Sequence, residues 1–354
     1  MNVKSEIQPF ENCLPLDGYH CQTNSLAKIY HYYNNPLSEE MLFGLGAGLG
    51  FIYWKMKMEA GYYVFIGGRG NNKDFFSDIG KRTGVEINSV STASAKKAET
   101  ALMQKLVNKE PFMVFGDMAY LPWFDFPDDY HFGGHTFVIC GYDGESTVLA
   151  SDIDPNSIGL KKGFFHPINL EQLKTARGSK HKPFPAKNTY LEFDFSKYHS
   201  PGTPDIYDSI KQTADSMLNP PIKNLGVKGI RHTSKELLKW PDLFDEQELL
   251  MNLFNLYIFI EVGGTGGGSF RYMYSRFLKE SARLTENDKL LGPAEKLQKA
   301  GELFTKVGLL FKDPDLKEGL QGRIKTAGSL YIEIADMEEE AYKELTDITE
   351  MYDS

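Results

Sequence analysis

The chain has 354 residues, which is enough for two domains of about 150 residues each. Its formal net charge of −9 argues against a nucleic-acid partner, because phosphate binding requires a basic face. Three cysteines are too few for a disulfide scaffold, so we expect a reduced, cytoplasmic protein. The first six residues lack the apolar core of a signal peptide. The longest apolar run, 249–262, is shorter than the roughly 20 residues of a membrane span and contains two asparagines, so we expect no membrane partner.

The first part of the chain predicts irregular structure followed by helices. Residues 7–20 contain two prolines and a glycine, and helical spacing of apolar residues then predicts a helix from Cys21. Ser38 is the expected cap of a second helix. Glycines at every second position of 43–54 suit neither a helix nor a strand, and they let backbone lie close to a ligand or to another segment. We then expect a short strand at 62–66, a turn at 67–72 and a helix at 74–83.

The strand signals concentrate between residues 85 and 195. Apolar runs and alternation predict strands, and a hairpin is expected where two strands flank Asp143-Gly144. The expected elements are strands at 85–87, 111–116, 135–142, 147–152 and 190–195, a helix at 93–108, and long loops at 120–131 and 159–190. Past the Pro- and Gly-containing segment 200–204 the patterns are helical. We therefore predict an α+β domain at residues 1–200 and a helical domain at 201–354 that contributes a glycine-rich loop.

Cys21 is the candidate nucleophile. A thiol in the first turn of a helix faces unpaired backbone N–H groups and the positive end of the helix dipole, and both favour the reactive thiolate. The same N–H groups suit an oxyanion. Cys140 lies in the middle of an apolar strand and fits a buried, unreactive thiol better, and Cys13 lies in an irregular segment with no helix behind it.

A nucleophilic cysteine needs a histidine base, and the base needs a group that orients it. His135 begins one predicted strand of the hairpin and Asp152 ends the other, so the two side chains should be neighbours. His131 is the competing base, and Asp154 is the alternative orienting group.

Other ligand chemistry has weaker support. No pair of cysteines or histidines has the spacing of a metal site, so we expect no metal. The glycine-rich run 263–268 lacks the ending of a P-loop, but it opens a helix next to Arg271 and is predicted to hold an anion such as a phosphopantetheine phosphate, or else to be a simple turn. The aromatic loop at 120–130 is either a solvated acidic loop or a seat for a cationic amine, through Asp117, Asp125, Asp128 and Asp129.

Taken together, these motifs resemble the butirosin-biosynthesis protein H family of bacterial acyltransferases, whose N-terminal module is similar to a papain-like cysteine peptidase. The matching blocks run in the family's order along most of the chain and are Gly18-Tyr19-His20-Cys21 with Asn24, 42–46 through Tyr53-Trp54, Asp117 with 120–122, 132–136, 176–177 through 183–185, and 264–268 with Phe270-Arg271.

The resemblance implies a papain-like α+β fold and acyl transfer from a carrier-protein or CoA-like thioester to a small amine, in antibiotic biosynthesis. It implies that Cys21 takes the acyl group, that His135 is the base and that Asp152 orients it. Papain-like peptidases place an oxyanion-donating glutamine before the cysteine, where this chain has Pro15-Leu16-Asp17, so Gln22 or the Cys21 N–H is expected to replace it. The candidate substrate-binding residues are Tyr19, Tyr53, Trp54, Asp117, Gly266, Gly267 and Arg271. No bound cofactor is expected, and a phosphopantetheine thioester is the expected donor.

Two other functions stay open from the sequence. One is a peptidase or amidase on the same fold, with water as the acceptor. The other is a catalytically inactive binding protein, which predicts that Cys21 lies out of hydrogen-bond reach of His135. An acyl carrier protein is acidic as a rule, so it would dock on a local basic patch, for which 177–187 is the candidate. The oligomeric state, a homo-oligomer included, is not determined by the sequence.

Overall fold

The computed structural model of the protein describes residues 7–58, 61–125, 130–155, 159–313, 315 and 318–353. The chain forms two compact units, Met1–Leu42 with Thr83–Ser200 and Phe43–Arg82 with Pro201–Ser354. The first unit ends at the segment expected to be a boundary. Residues 43–82 group with the helical unit, however, so the compact units differ from the linear division into 1–200 and 201–354.

In the part of the first unit that the structure describes, four α-helices combine with six strands. Its helices are α1 (Cys21–Tyr32), the start of α2 (Glu39–Leu45), α4 (Ala95–Val107) and α5 (Leu170–Gly178). Its strands are β3 (Glu86–Val90), β4 (Phe112–Gly116), β5 (His135–Tyr142), β6 (Thr147–Ile153), β7 (Gly163–Asn169) and β8 (Tyr190–Asp194). Ser38 caps α2 as expected, because its hydroxyl accepts a hydrogen bond of 2.9 Å from the Met41 N–H.

The six strands form one antiparallel sheet in the order β3-β8-β4-β5-β6-β7. The predicted hairpin is present, since β5 pairs with β6, with a register shift between Ile139 and Gly141. In this arrangement β5 is buried along almost its whole length and α1 packs against it. The sheet thus places the start of β5 and the end of β6 beside the helix that begins at Cys21.

The second unit joins a β-hairpin to the helices of the C-terminal part. Its strands are β1 (Leu49–Met58) and β2 (Gly61–Arg69), which pair antiparallel. Its helices, besides the end of α2, are α3 (Phe75–Thr83, whose last residue belongs to the first unit), α6 (Thr203–Leu218), α7 (Gly226–Leu237), α8 (Trp240–Leu243), α9 (Glu246–Tyr257), α10 (Arg271–Leu284), α11 (Leu291–Leu309) and α12 (Leu320–Asp353), with a π-helical turn at Ile258–Val262.

Three expectations about local structure are wrong. The glycine-rich segment does form a strand from Leu49, and β2 continues to Arg69 through the predicted turn. The hairpin tolerates these glycines because they allow close contact: a Cβ on Gly50 would lie 2.5 Å from the Cα of Gly70. The segment predicted as a loop at 159–190 contains β7 and α5, in which Asn169 caps the helix with its side chain.

The predicted α+β class is confirmed, with antiparallel sheets and a mostly helical C-terminal part. The narrower expectation of a papain-like fold stays a prediction.

The second unit contains a buried ion pair in its helical core. The Arg271 guanidinium donates to both carboxylate oxygens of Glu338, at 2.7 and 3.0 Å, and to the Ser269 carbonyl at 2.8 Å. Both side chains of the pair are completely buried, and the guanidinium lies 4.7 Å from the centre of the Phe304 ring. Each charge is therefore compensated by its partner, since water does not reach either group.

We expect Glu338→Ala to lower the free energy of unfolding by about 3–5 kcal/mol, because it leaves a buried guanidinium without its counter-charge. The next residue, Glu339, makes exposed pairs with Arg231 and Lys343, so Glu339→Ala is the matched control and should cost less than about 1 kcal/mol. Urea denaturation of both variants measures the difference. Equal losses would show that the Arg271–Glu338 pair does not act as a buried pair.

Candidate active site

Cys21 is the first residue of α1 and is half-buried. The loop before it is fixed by two backbone hydrogen bonds between Gly18 and Lys161, of 2.8 and 2.7 Å. A further 2.9 Å bond joins the Gly163 N–H to the Asp17 carboxylate. Cys21 therefore begins the helix from an anchored segment.

Glu39 organises the same loop from the side of α2. Its carboxylate accepts hydrogen bonds from the N–H groups of Tyr19 (3.0 Å) and His20 (3.2 Å). It also accepts from the Thr23 hydroxyl (2.7 Å) and the Asn24 amide (3.1 Å). Burial raises the pKa of Glu39 to about 7, although these hydrogen bonds lower it. Gly18 has to be glycine here, since a Cβ would lie 1.9 Å from a Glu39 carboxylate oxygen.

His135 and Asp152 form the predicted pair. The His135 Nε2 lies 2.6 Å from an Asp152 carboxylate oxygen, and both side chains are buried, with 5% and 2% of their surface exposed. Cys21 lies close enough to His135 for the two side chains to interact electrostatically. Because Nε2 is used by Asp152, the other ring nitrogen, Nδ1, is the one available to the thiol. The structure thus brings Cys21, His135 and Asp152 together, and their roles as nucleophile, base and orienting group stay predictions.

The electrostatics of the three groups favour an ionised thiol. Burial raises the pKa of Cys21, but the hydrogen bond and charge of His135 and a hydrogen bond to the Thr136 backbone outweigh it, so the net shift is downward from 9.0. Burial lowers the pKa of His135, but Asp152 and Cys21 raise it to about 10. Burial raises the pKa of Asp152, and the charge and hydrogen bond of His135 lower it overall. These shifts favour the thiolate form of Cys21 and the imidazolium form of His135.

Aromatic side chains that the sequence reasoning missed surround this pair. The Trp123 indole N–H donates a 2.9 Å hydrogen bond to the same Asp152 oxygen that His135 contacts. Trp123 also stacks on His166 at 4.6 Å between ring centres, and Phe124 meets the His135 ring edge-on at 5.1 Å. These rings shield one side of the site from water.

Two buried lysines that the sequence patterns do not identify also lie near the site. Lys28, on α1, has 5% of its surface exposed, and Lys161 has 8%. The pKa of both lysines is lowered, because burial outweighs the nearby negative charges that raise it, of which Asp152 is the strongest for Lys28 and Cys21, followed by Asp152, for Lys161. Their positions in the sequence do not indicate that these lysines are buried, because a lysine on a helix or loop is usually solvated.

The competing histidine and the candidate amine ligand belong to a separate cluster. Asp117 is completely buried and accepts hydrogen bonds from His131 Nδ1 (3.0 Å), Ser179 (2.5 Å), and the N–H groups of Phe132 (3.1 Å) and Ala119 (3.3 Å). The expectation that Asp117 binds a cationic amine is therefore corrected, since its oxygens hold the loop together. Asp128 and Asp129 lie outside the described residues.

The glycine-rich loop and Arg271 do not form an exposed anion site. The Gly268 N–H donates to the Glu261 carboxylate (3.0 Å) and the Gly267 N–H to the Thr265 hydroxyl (3.1 Å). The anion at this loop is thus the chain's own carboxylate, and the Arg271 guanidinium is used by Glu338. The prediction that Gly266, Gly267 and Arg271 hold a phosphate is corrected for this reason.

The remaining residues predicted at the site are Tyr19, Gln22, Tyr53 and Trp54. Tyr19 and Gln22 flank the nucleophile in the first unit and are partly buried. Tyr53 and Trp54 lie on β1 in the second unit, where Tyr53 is buried and accepts a hydrogen bond from Trp240 (3.3 Å), and Trp54 is exposed. Substrate binding by these residues and oxyanion binding by Gln22 or the Cys21 N–H stay predictions.

The candidate docking patch at 177–187 is corrected in part. Arg177 is buried, donates to the Ala98 carbonyl (3.2 Å) and lies 5.5 Å from the centre of the Phe112 ring, so it supports the fold and offers no charge to a partner. Lys180, Lys182 and Lys187 are exposed.

Among the residues that the structure describes, no cluster of three or more His, Cys, Asp or Glu side chains has an arrangement suited to a metal ion. None of the helices in this part of the chain combines the length and apolar character needed to cross a membrane.

Residues 20–153 match the family model of the N-terminal domain of butirosin biosynthesis protein H, and residues 171–345 match a domain of unknown function (DUF4872). The resemblance to the butirosin biosynthesis protein H family is thereby confirmed over residues 20–153. The matched segment contains Cys21, His135 and Asp152. No curated protein matches the chain.

We expect Cys21 to react with iodoacetamide with a midpoint below pH 9.0, since only the thiolate reacts and its pKa is lowered. In His135→Ala the burial remains but the compensating hydrogen bond and charge are lost, so the midpoint should move to higher pH. Each unit of that shift slows alkylation at pH 7 about tenfold. Intact-protein mass spectrometry measures the rates, with Cys21→Ala as the background from Cys13 and Cys140. An unchanged midpoint in His135→Ala would contradict the assigned pair.

We expect Glu39→Ala to lower the free energy of unfolding by about 2–4 kcal/mol and to slow Cys21 alkylation, because several buried donors lose their acceptor. Glu99→Ala, at an exposed position of α4, is the control and should change neither quantity. Thermal unfolding and alkylation measured on the same samples separate the two effects. Full retention of the alkylation rate in a folded Glu39→Ala protein would show that Glu39 does not position Cys21.

Proposed function

We propose that the chain is a cysteine-dependent acyltransferase that moves an acyl group from a thioester to an amine. The family match implies a role in the biosynthesis of butirosin or another antibiotic. The observation that carries the finer proposal is the 2.6 Å hydrogen bond between His135 and Asp152 beside Cys21, where the pKa of the thiol is lowered and that of the imidazole is raised.

In the first step the Cys21 thiolate attacks the carbonyl carbon of the thioester. A bond forms between Sγ and that carbon, and the tetrahedral intermediate collapses by breaking the donor's carbon–sulfur bond. The departing thiolate takes the proton of the His135 imidazolium and leaves as a free thiol. Asp152 stabilises the imidazolium and fixes its orientation through the 2.6 Å hydrogen bond.

In the second step a neutral amine attacks the acyl-cysteine. His135, now neutral, accepts the amine proton, the carbon–sulfur bond to Cys21 breaks, and an amide is released. The thiolate–imidazolium pair is thereby restored. Because the same base serves both steps, His135 has to stay in contact with Cys21 and with the incoming nucleophile.

The proposal includes a donor carried on phosphopantetheine, either on an acyl carrier protein or on a CoA-like molecule. The exposed Lys180 and Lys182 are the part of the basic segment that suits an acidic carrier. A cytoplasmic location, a small amine acceptor and a papain-like fold of the first unit complete the proposal. The interaction of Cys21 with His135, which lowers the pKa of the thiol, favours it over an inactive binding protein.

We expect a panel of acyl thioesters to leave an acyl adduct on the wild-type protein and none on Cys21→Ala, as measured by intact-protein mass. Asp152→Asn should form the adduct more slowly, because His135 loses the charge that stabilises its imidazolium. Adding an amine should remove the adduct and produce an amide. An adduct on both wild type and Cys21→Ala would contradict the assigned nucleophile.

The acceptor separates transfer from hydrolysis. Adduct loss at the same rate with and without amine, with release of the free acid, would identify the protein as a hydrolase. A protein that cleaves peptides, and whose Cys21 reacts with iodoacetamide but with no thioester, would also be identified as a hydrolase. Either result would reject acyl transfer to an amine and would retain Cys21 as the nucleophile.

A further inference from the structure

Lys28 occupies the face of α1 that carries the nucleophile. It follows Cys21 by seven residues, which is two helical turns, so both side chains leave the helix on the same side. Ser25 lies between them on this face and its hydroxyl contacts that of Thr136 on β5, at 3.4 Å. Lys28 therefore extends into the packed space between α1 and the sheet, and not into water.

The ammonium group of Lys28 has no conventional partner. Only 5% of the residue is exposed, and its Nζ is buried without a hydrogen bond to any described residue. A buried charged group is costly unless an opposite charge compensates it. A lysine kept in such a place needs a reason beyond packing, which an apolar side chain would supply at lower cost.

The groups that face Lys28 come from four elements. They are Asp152 on β6, Cys140 on β5, Glu39 on α2 and His166 on β7. Burial raises the pKa of Cys140 and lowers that of His166, so both are neutral at pH 7. Glu39 already accepts hydrogen bonds from several donors of its own. Asp152 is thus the stably charged neighbour.

Asp152 itself needs a second positive charge. With Cys21 as a thiolate and His135 as an imidazolium, the Asp152 carboxylate leaves one excess negative charge in a buried place. His135 and Trp123 both contact Oδ2, whereas Oδ1 accepts the Ile153 N–H at 2.8 Å. Of the two buried lysines near the site, Lys28 has Asp152 as its strongest negative neighbour, whereas Lys161 has Cys21.

We propose that Lys28 is a positioning residue of this site, whose buried ammonium group balances the charge of Asp152 and so keeps the Cys21–His135 pair ionised. The inference rests on the proposed role of Cys21 as the nucleophile. It requires no acyl donor, since it concerns the state of the site before substrate binds. Lys28 acts through Asp152 and contacts no reacting atom.

The test is the pH profile of Cys21 alkylation by iodoacetamide in wild type, Lys28→Met, Lys28→Arg and Lys96→Met. Lys28→Met keeps the length of the side chain and removes the charge, so the midpoint should rise by about one pH unit, and alkylation at pH 7 should slow by a factor of at most about ten. Lys28→Arg keeps the charge and should retain the wild-type midpoint. Lys96, exposed on α4, is the control for loss of a lysine elsewhere in the same unit.

A folded Lys28→Met protein with the wild-type midpoint would overturn the proposal, because it would mean that Lys28 carries no charge or does not reach Asp152. If Lys28→Met does not fold, Asp152→Asn with Lys28→Met carries the test, since it removes both buried charges. Relative to Asp152→Asn alone, this double variant should show no further shift. A further shift would overturn the claim that Lys28 acts through Asp152.

These outcomes are separate from those of the proposed function. If no thioester leaves an adduct, the proposed acyltransferase activity is rejected. The alkylation profile of Lys28→Met then still decides whether Lys28 has the proposed role. A normal acyl adduct together with an unshifted Lys28→Met profile would keep the acyltransferase and reject the role of Lys28.

Discussion

The hydrogen bond between His135 and Asp152 is the interaction on which the site depends. It joins the start of β5 to the end of β6 inside a region where neither side chain reaches water. A carboxylate in such a place is stable only beside a positive charge, and an imidazolium only beside a negative one. Each group therefore sets the charge of the other, and the positive imidazolium then lowers the pKa of the Cys21 thiol.

The residues of this series could be predicted from the sequence because local patterns placed each of them. Cys21 follows a turn and opens an amphipathic helix, while His135 and Asp152 lie at the two ends of a hairpin marked by Asp143-Gly144. Hairpin geometry brings such ends together whatever the rest of the fold does. The α+β class and most helix positions were predictable for the same reason, since periodicity is a local property.

The supporting residues could not be predicted, because they are defined by contacts between distant segments. Glu39 reads as an ordinary acidic residue of a helix start, and only the folded chain brings its carboxylate to the N–H groups before Cys21. Lys28 and Arg271 read as solvated or ligand-binding cations until their burial is known. The strand β7 was missed because it alternates weakly and runs along the sheet edge. Sequence patterns thus identify the reacting groups better than the groups that hold them.

Two buried charge clusters of this protein show why burial alone does not define an active site. Arg271 and Glu338 saturate each other, and both are closed to solvent, so the pair can only stabilise the fold. At the other cluster Cys21 stays half-buried while His135 and Asp152 are covered, so one member can meet a substrate. In the proposed reaction, the wall formed by Trp123 and Phe124 would limit the directions from which a second nucleophile reaches an acyl group on Cys21. Water and an amine would both give their proton to His135, so the access left by that wall would determine which acceptor arrives first.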